Sequence, residues 1–434
     1  MSQFAWRAGN SARSRLLGGL QHCQLSYRAG KLTHHREVRS RKSEAMKTVS
    51  GRYSRHPREI ILASVFWLLT SVSAPCAQKW QLSYFYDKDN SSLTINDLQF
   101  PSAARGVAAG YLEDKGNSKP VAVTTDDGGA HWTISKLKQV PISLFFLNDK
   151  LGWMVTPEGI WRTIDAGREW HEIPKSPKLL LKVYFLDEWR GFAVGTHKLA
   201  YQTGDGGKTW EPIAAAAEPH TDPEYTVYND IAFVTAKTGL IGGFSAPPRA
   251  GDSGKPDWLD PQDATRRREW PHLSIMLDTR DGGKTWKPST SSMFGRITRT
   301  CFMPDGRGLG LIEFTDTFRW PSEVHLVDGA TGKSDIVYNA TDRAITDVLL
   351  LPSGTGYLAG VEVVGKLQHT PIPRKLKILR SEDLSDWQEM EVDYRATAVR
   401  AMLRAAGDGS LWVATDTGMI LKLGGRAILP AAGF

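Results

Sequence analysis

Four segments of this chain align without gaps: TDDGGAHW (Thr125–Trp132), TIDAGREW (Thr163–Trp170), TGDGGKTW (Thr203–Trp210) and TRDGGKTW (Thr279–Trp286). They share the pattern Thr-x-Asp-x-Gly-x-x-Trp, and a fifth, SEDLSDW (Ser381–Trp387), lacks one residue of it. Trp132, Trp170 and Trp210 stand 38 and 40 residues apart. A period of that length is one four-stranded blade of a β-propeller, so the repeat constrains the fold before composition is considered.

The residues around each motif fit this reading. Upstream of the motifs lie LFFLNDKLGWMV, VYFLDEWRGFAV, IAFVTAKTGLIGG and VLLLPSGTGYLAG. Each is an apolar run, a polar turn, a Gly and a second apolar run, which reads as a β-hairpin. The motif joins two further strands, so each period supplies a four-stranded antiparallel sheet. In the motif, the Asp carboxylate accepts from backbone N–H groups of its own turn. The Gly supplies positive φ, and the Trp fills the wedge between neighbouring sheets. Asp127, Gly129, Trp132, Asp165, Gly167, Trp170, Asp205, Gly207, Trp210, Asp281, Gly283, Trp286, Asp383 and Trp387 are therefore read as structural. Calcium loops of Asp-x-Asp-Gly type need further oxygen ligands at fixed offsets. The repeats do not supply them, the histidines show no ligand spacing, and neither metal nor cofactor is expected.

Counting periods gives blades at about 94–137, 140–175, 178–213, 227–289, 296–338 and 343–392. The fourth carries an insertion at 247–271, and in the fifth VHLVDGATGKSDIVY replaces the motif. The remainder, 396–424, offers three strands. KWQLSYFY (Lys79–Tyr86) resembles the strands that follow the motifs, with Trp80 at the motif Trp position. The expected fold is all-β: a seven-bladed β-propeller closed by its N-terminal strand, which removes an open sheet edge.

The net charge of +7 is misleading as a nucleic-acid signal. Residues 1–77 hold 13 Lys/Arg against three acids, leaving 41 basic and 44 acidic groups in residues 78–434. Ile60–Val72 is an apolar run after Arg52, Arg55 and Arg58 and before Ser73-Ala74-Pro75-Cys76-Ala77. That order is a secretory signal peptide, and the run is shorter than the roughly 20 apolar residues of a membrane span. Residues 1–45 read as an over-called start or disordered extension, 46–77 as the signal peptide and 78–434 as one propeller domain. The expected location is periplasmic or secreted. Without the leader only Cys301 remains, which excludes an intramolecular disulfide.

The repeat resembles the BNR/Asp-box superfamily of sialidases, xyloglucanases and sortilin-type receptors. Within it, the TGDGGKTW and TRDGGKTW forms are most similar to the photosystem II stability/assembly factor family and its non-photosynthetic relatives. The resemblance covers roughly residues 79–424. It implies a non-enzymatic assembly or stability factor that binds a partner protein on one propeller face.

The face opposite the motif turns is where the sequence departs from its own repeat. Its loops hold Trp258, Arg266, Arg267, Arg268 and Trp270 in the insertion, Arg319 and Trp320 in the fifth blade, and Arg374 and Lys375 in the sixth. Arg and Trp dominate binding hot spots, and Arg pairs bidentately with carboxylates. The expected partner is a protein or acidic peptide, or an acidic sugar, bound by a monomer; nucleic acid is not expected. Two alternatives remain. A glycosidase needs two facing carboxylates, for which Asp222, Glu224, Asp230, Glu313 and Asp316 are candidates. A sortilin-like peptide receptor would share the propeller but needs Cys-rich modules that are lacking.

Overall fold

The computed structural model of the chain describes residues 78–88, 90–247, 269–315, 318–329, 332–362 and 374–424. Apart from two 3-10 turns at Ala214–Ala216 and Pro223–Tyr225, its regular structure is β. Five four-stranded antiparallel sheets follow in chain order, over residues 91–136, 143–172, 180–212, 226–294 and 296–339. The sixth sheet has eight strands. One half runs through residues 343–392. The other comprises Ala401–Ala405, Leu411–Thr415, Met419–Leu423 and the N-terminal strand Lys79–Phe85.

The N-terminal strand joins these halves. It pairs antiparallel with Met419–Leu423 along its length, Trp80 opposite Leu423 and Phe85 opposite Met419. Its first two residues also pair in parallel with Glu391 and Val392. Trp80 is fully buried among Leu376, Ile378, Leu403 and Leu421.

The innermost strands are Ser91–Gln99, Ser143–Phe146, Leu180–Phe185, Thr226–Phe233, Arg296–Phe302, Arg343–Leu350 and Ala401–Ala405. Each packs against the next, and Ala401–Ala405 returns to Ser91–Gln99. The second strand of a sheet is enclosed on both sides, which is why Gly152–Thr156, Gly191–Gly195 and Leu411–Thr415 are buried at every residue. Continuous apolar runs replace alternation there. The core lies between sheets rather than within one. Trp153 of the second sheet stacks on Phe185 of the third, centroids 3.5 Å apart. Trp412 of the sixth stacks on Phe100 beside the first at 4.5 Å.

Candidate functional site

The repeat turns join the third and outermost strands, and each closes on itself. In the third sheet Asp205 accepts from the backbone N–H and hydroxyl of Thr209. Thr203 donates its hydroxyl to Asp205 and accepts from the Gly207 N–H. The same bonds recur at Thr279, Asp281, Gly283 and Thr285. They hold the Asp205 and Asp281 carboxyls down at about 2, chiefly through the hydroxyl donors Thr209 and Thr285. The motif Thr is thus a full member of the turn, a role that sequence reading left unassigned. These carboxylates are spent on their own loops.

On the opposite face, Arg319 and Trp320 come together, the guanidinium 4.9 Å from the indole centroid. Trp320 donates its N–H to Glu323 at 2.6 Å. Phe318 meets Trp320 edge-on and stacks on Phe314 at 3.9 Å, and Phe294 joins at 5.5 Å from Phe318. Next to them Arg296 lies over Phe244, 4.5 Å from its centroid. Arg319 is exposed and Phe294 is 40% exposed. Phe244, Phe294 and Phe314 are apolar residues at strand ends, a signal present in the sequence but masked by the repeat's other aromatics. Trp270 precedes Pro271–Thr279 in the same region, half-buried. Trp258, Arg266, Arg267 and Arg268 lie outside the described residues. Arg374 and Lys375 stand on the sixth sheet, where Lys375 bridges to Thr397 and the Arg374 carbonyl accepts from Ala398. No contact joins them to the Arg319–Trp320 cluster among the described residues.

Beneath this face runs a central channel of about 780 Å³, lined by the innermost strands. Five of those strands carry a bulge at one register position, skipping Asn96, Leu181, Asn229, Thr298 and Thr346. The residue after each bulge is charged: Asp97, Lys182, Asp230, Arg299 and Asp347. A bulge re-aims the side chains around it, and at three of the five the skipped residue staples the next sheet. Asn96 donates to the Pro141 carbonyl, Asn229 to that of Ile297 and Thr346 to that of Ala401. The aspartates then accept from the following sheet's backbone: Asp97 from Leu144, Asp230 from Thr300 and Asp347 from Leu403.

The charges alternate in sign. Lys182 pairs with Asp230, and Arg299 lies 3.3 Å from Asp347. Arg404 bridges Asp347 at 3.0 Å and Asp97 at 2.5 Å. Burial alone would raise the fully enclosed Asp230, but Lys182 and Arg299 hold it below its ordinary value. Paired and hydrogen-bonded in this way, a buried charge is tolerable. Cys301, in the same lining, has its thiol pushed up to about 12 by burial. At the channel's rim Glu313 is raised by burial against the pull of Arg400, 3.8 Å away.

Of the other carboxylates considered from sequence, Asp222 caps the 3-10 turn by accepting from Glu224 N, and Asp316 lies outside the described residues. Among the described residues no cluster of three His, Cys, Asp or Glu is placed to hold a metal, and no helix is long and apolar enough to cross a membrane.

No family model matches the chain. A curated relative, vacuolar protein sorting/targeting protein 10 of Sordaria macrospora, is 29% identical over 109 residues, 21% of this chain and 7% of its own length. The chain therefore spans only a small part of that relative. A solved structure described as YCF48 bound to D1 peptide aligns with a TM-score of 0.52 and 18% identity, covering 80% of this chain and 100% of its own. YCF48 from Cyanidioschyzon merolae aligns with the same TM-score and identity, covering 99% of its own chain. The WD40 β-propeller domain of Doa1 aligns at 0.51 and 12% identity, over 80% of this chain and 97% of that domain. With the stacked four-stranded sheets, these similarities place the chain among the β-propellers.

Proposed function

We propose that the chain is an exported, non-catalytic binding propeller of the BNR/Asp-box type, which holds a protein or acidic peptide on its loop face. The observation that carries this reading is the cluster of Phe294, Phe314, Phe318, Arg319 and Trp320, aromatic and cationic groups gathered on one face of a domain close to neutral overall. Fixed aromatic anchors beside an arginine give binding energy at low entropic cost. A protein of the same fold has been solved with a peptide bound, which supports the same use here. Assembly or stability factor is the role that fits, since the channel aspartates are committed to the neighbouring sheets.

The same proposal counts seven blades, reading the eight-stranded sheet as two that meet through the short parallel pairing of Lys79 and Trp80. The unbroken circuit of innermost strands supports that count. Export through the segment 46–77 completes the proposal. Expression from Met46 in a bacterial host, with mass spectrometry of the periplasmic product, should give an N-terminus near Gln78; retention of the leader in the cytoplasm would refute export.

The binding test uses an Asp/Glu-rich peptide library on beads. Peptides enriched on the wild type should lose at least tenfold in affinity with Arg319→Glu and with Trp320→Ala, and the wild type should not hydrolyse chromogenic glycosides. Equal retention by both variants, or turnover of a glycoside, defeats the reading.

A further inference from the structure

In four sheets the second Gly of the repeat turn seats the turn on the sheet before it. A Cβ on Gly129 would meet Trp412, one on Gly167 would lie against Val107, one on Gly207 against Ile173 and one on Gly283 against Phe192. Val107, Phe192 and Leu240 are the same position, the residue after the Gly that opens the second strand or lies at its start. The fifth sheet has no such turn. Of the described residues that follow its third strand, Ser322–Asp328, Gly329 lines the space beside Leu240.

That space is a cavity of about 230 Å³ between the fourth and fifth sheets, on the repeat-turn face and away from the Arg319–Trp320 cluster. Val234, Leu240 and Trp286 form apolar walls. Asp278, aligned with Leu240 and Lys287 across the sheet, supplies the acceptor. Its Oδ2 is buried without a hydrogen-bond partner. Burial raises this carboxyl to about 6 in spite of Arg280 and Lys287 nearby. Both cations line the opening and are exposed. The Trp286 indole N–H also lacks a partner, but so do those of Trp170, Trp210 and Trp387, so it does not distinguish this site.

We infer that this cavity binds an aromatic group carrying a neutral hydrogen-bond donor, an indole or a phenol, offered by a partner's side chain or as a free small molecule. An engineered cavity of about 150 Å³ accepts benzene, so the space suits one or two fused rings. The donor answers the orphaned Asp278 oxygen, since a buried acceptor without a partner is costly. Arg280 and Lys287 repel an ammonium but can cover the face of a neutral ring.

The test titrates the full chain with indole, p-cresol, toluene and benzylammonium, following the 15N–1H indole resonance of Trp286, assigned with Trp286→Phe. Indole and p-cresol should shift it saturably in the millimolar range, at least tenfold tighter than toluene or benzylammonium. Leu240→Phe fills the space with the residue the third sheet carries as Phe192, and should weaken indole at least tenfold. Asp278→Leu should erase the preference for indole over toluene. No saturable shift, or an equal response to toluene with Asp278→Leu without effect, overturns the site, as does tighter binding of benzylammonium. N-acetyl-tryptophanamide and a tryptophan tetrapeptide separate the sources. Tighter binding of these than of indole assigns the cavity to a partner's side chain, and the reverse assigns it to a free molecule.

Discussion

Asp230 Oδ2 lies 2.8 Å from the backbone nitrogen of Thr300, 70 residues further along the chain and one sheet away. The same oxygen accepts from the Thr300 hydroxyl at 2.5 Å, while Oδ1 takes Lys182 from the sheet before. One carboxylate thus ties three consecutive sheets. Asp230→Ala should cost about 3–5 kcal/mol, because it strands the Thr300 N–H and the half-enclosed Lys182 ammonium. Urea unfolding measures this. Lys182→Met in the Asp230→Ala background should restore about 1 kcal/mol or more; a double variant no more stable than the single would show that Lys182 does not depend on Asp230.

Asp278 predicts an inverted pH response. Its folded-state pKa of about 6 lies above the ordinary 3.8, so the native protein holds the proton more tightly than the unfolded chain. The contribution of Asp278 to stability is then present below about pH 4 and lost as pH rises through about 6. Asp278→Asn should be more stable than wild type at pH 7 by about 1–2 kcal/mol, after discounting for partial exposure, and equal to it near pH 4. Thermal unfolding at both pH values checks this, and a gap that is the same at both would refute it.

Gly283 and Gly306 separate backbone strain from crowding. Their φ values are +84° and +92°, so Ala pays a similar conformational cost at each, roughly 1 kcal/mol. A Cβ at Gly306 meets nothing within 4 Å, whereas at Gly283 it would stand 2.2 Å from Phe192. Gly283→Ala should therefore exceed Gly306→Ala by about 1–3 kcal/mol, the range for overpacking. Chemical denaturation of the pair gives the difference directly, and equal costs would mean that the turn does not seat on the preceding sheet.

Trp80 reports on the join between the chain's two ends. Trp80→Ala should cost about 3–5 kcal/mol, as for other large buried aromatics. Deleting residues 78–86 should expose the edge of Met419–Leu423 and produce concentration-dependent association, readable by light scattering. A monodisperse deletion variant as stable as wild type would contradict the role given to this strand.

The repeat was legible because each turn is bonded almost wholly within itself. Thr203, Asp205, Gly207 and Thr209 act over seven residues, so their pattern survives in the linear chain. Trp80 was legible by analogy with the Trp that begins the other outer strands. The channel was not. Asp97, Lys182, Asp230, Arg299 and Asp347 mix acids with bases, and only the sheet register reveals that they occupy one position. Read singly, Asp230 was a candidate for sugar chemistry; in the structure it is bonded to the sheets on either side. The fifth period's missing motif was visible as a loss, but the cavity beside Leu240 emerges only when the fourth and fifth sheets pack. On the loop face, Arg319 and Trp320 were found by residue type, whereas Phe294 and Phe314 are brought to Phe318 beside them by folding.

The N-terminal strand sets the order of events during biosynthesis. Among the strands, residues 79–85 leave the ribosome first, yet their antiparallel partner, residues 419–423, comes last. A nascent chain can build its middle sheets as they emerge, but its opening segment must wait for the final one. An early stop codon anywhere before residue 419 would therefore deny the first strand its mate, however complete the intervening sheets.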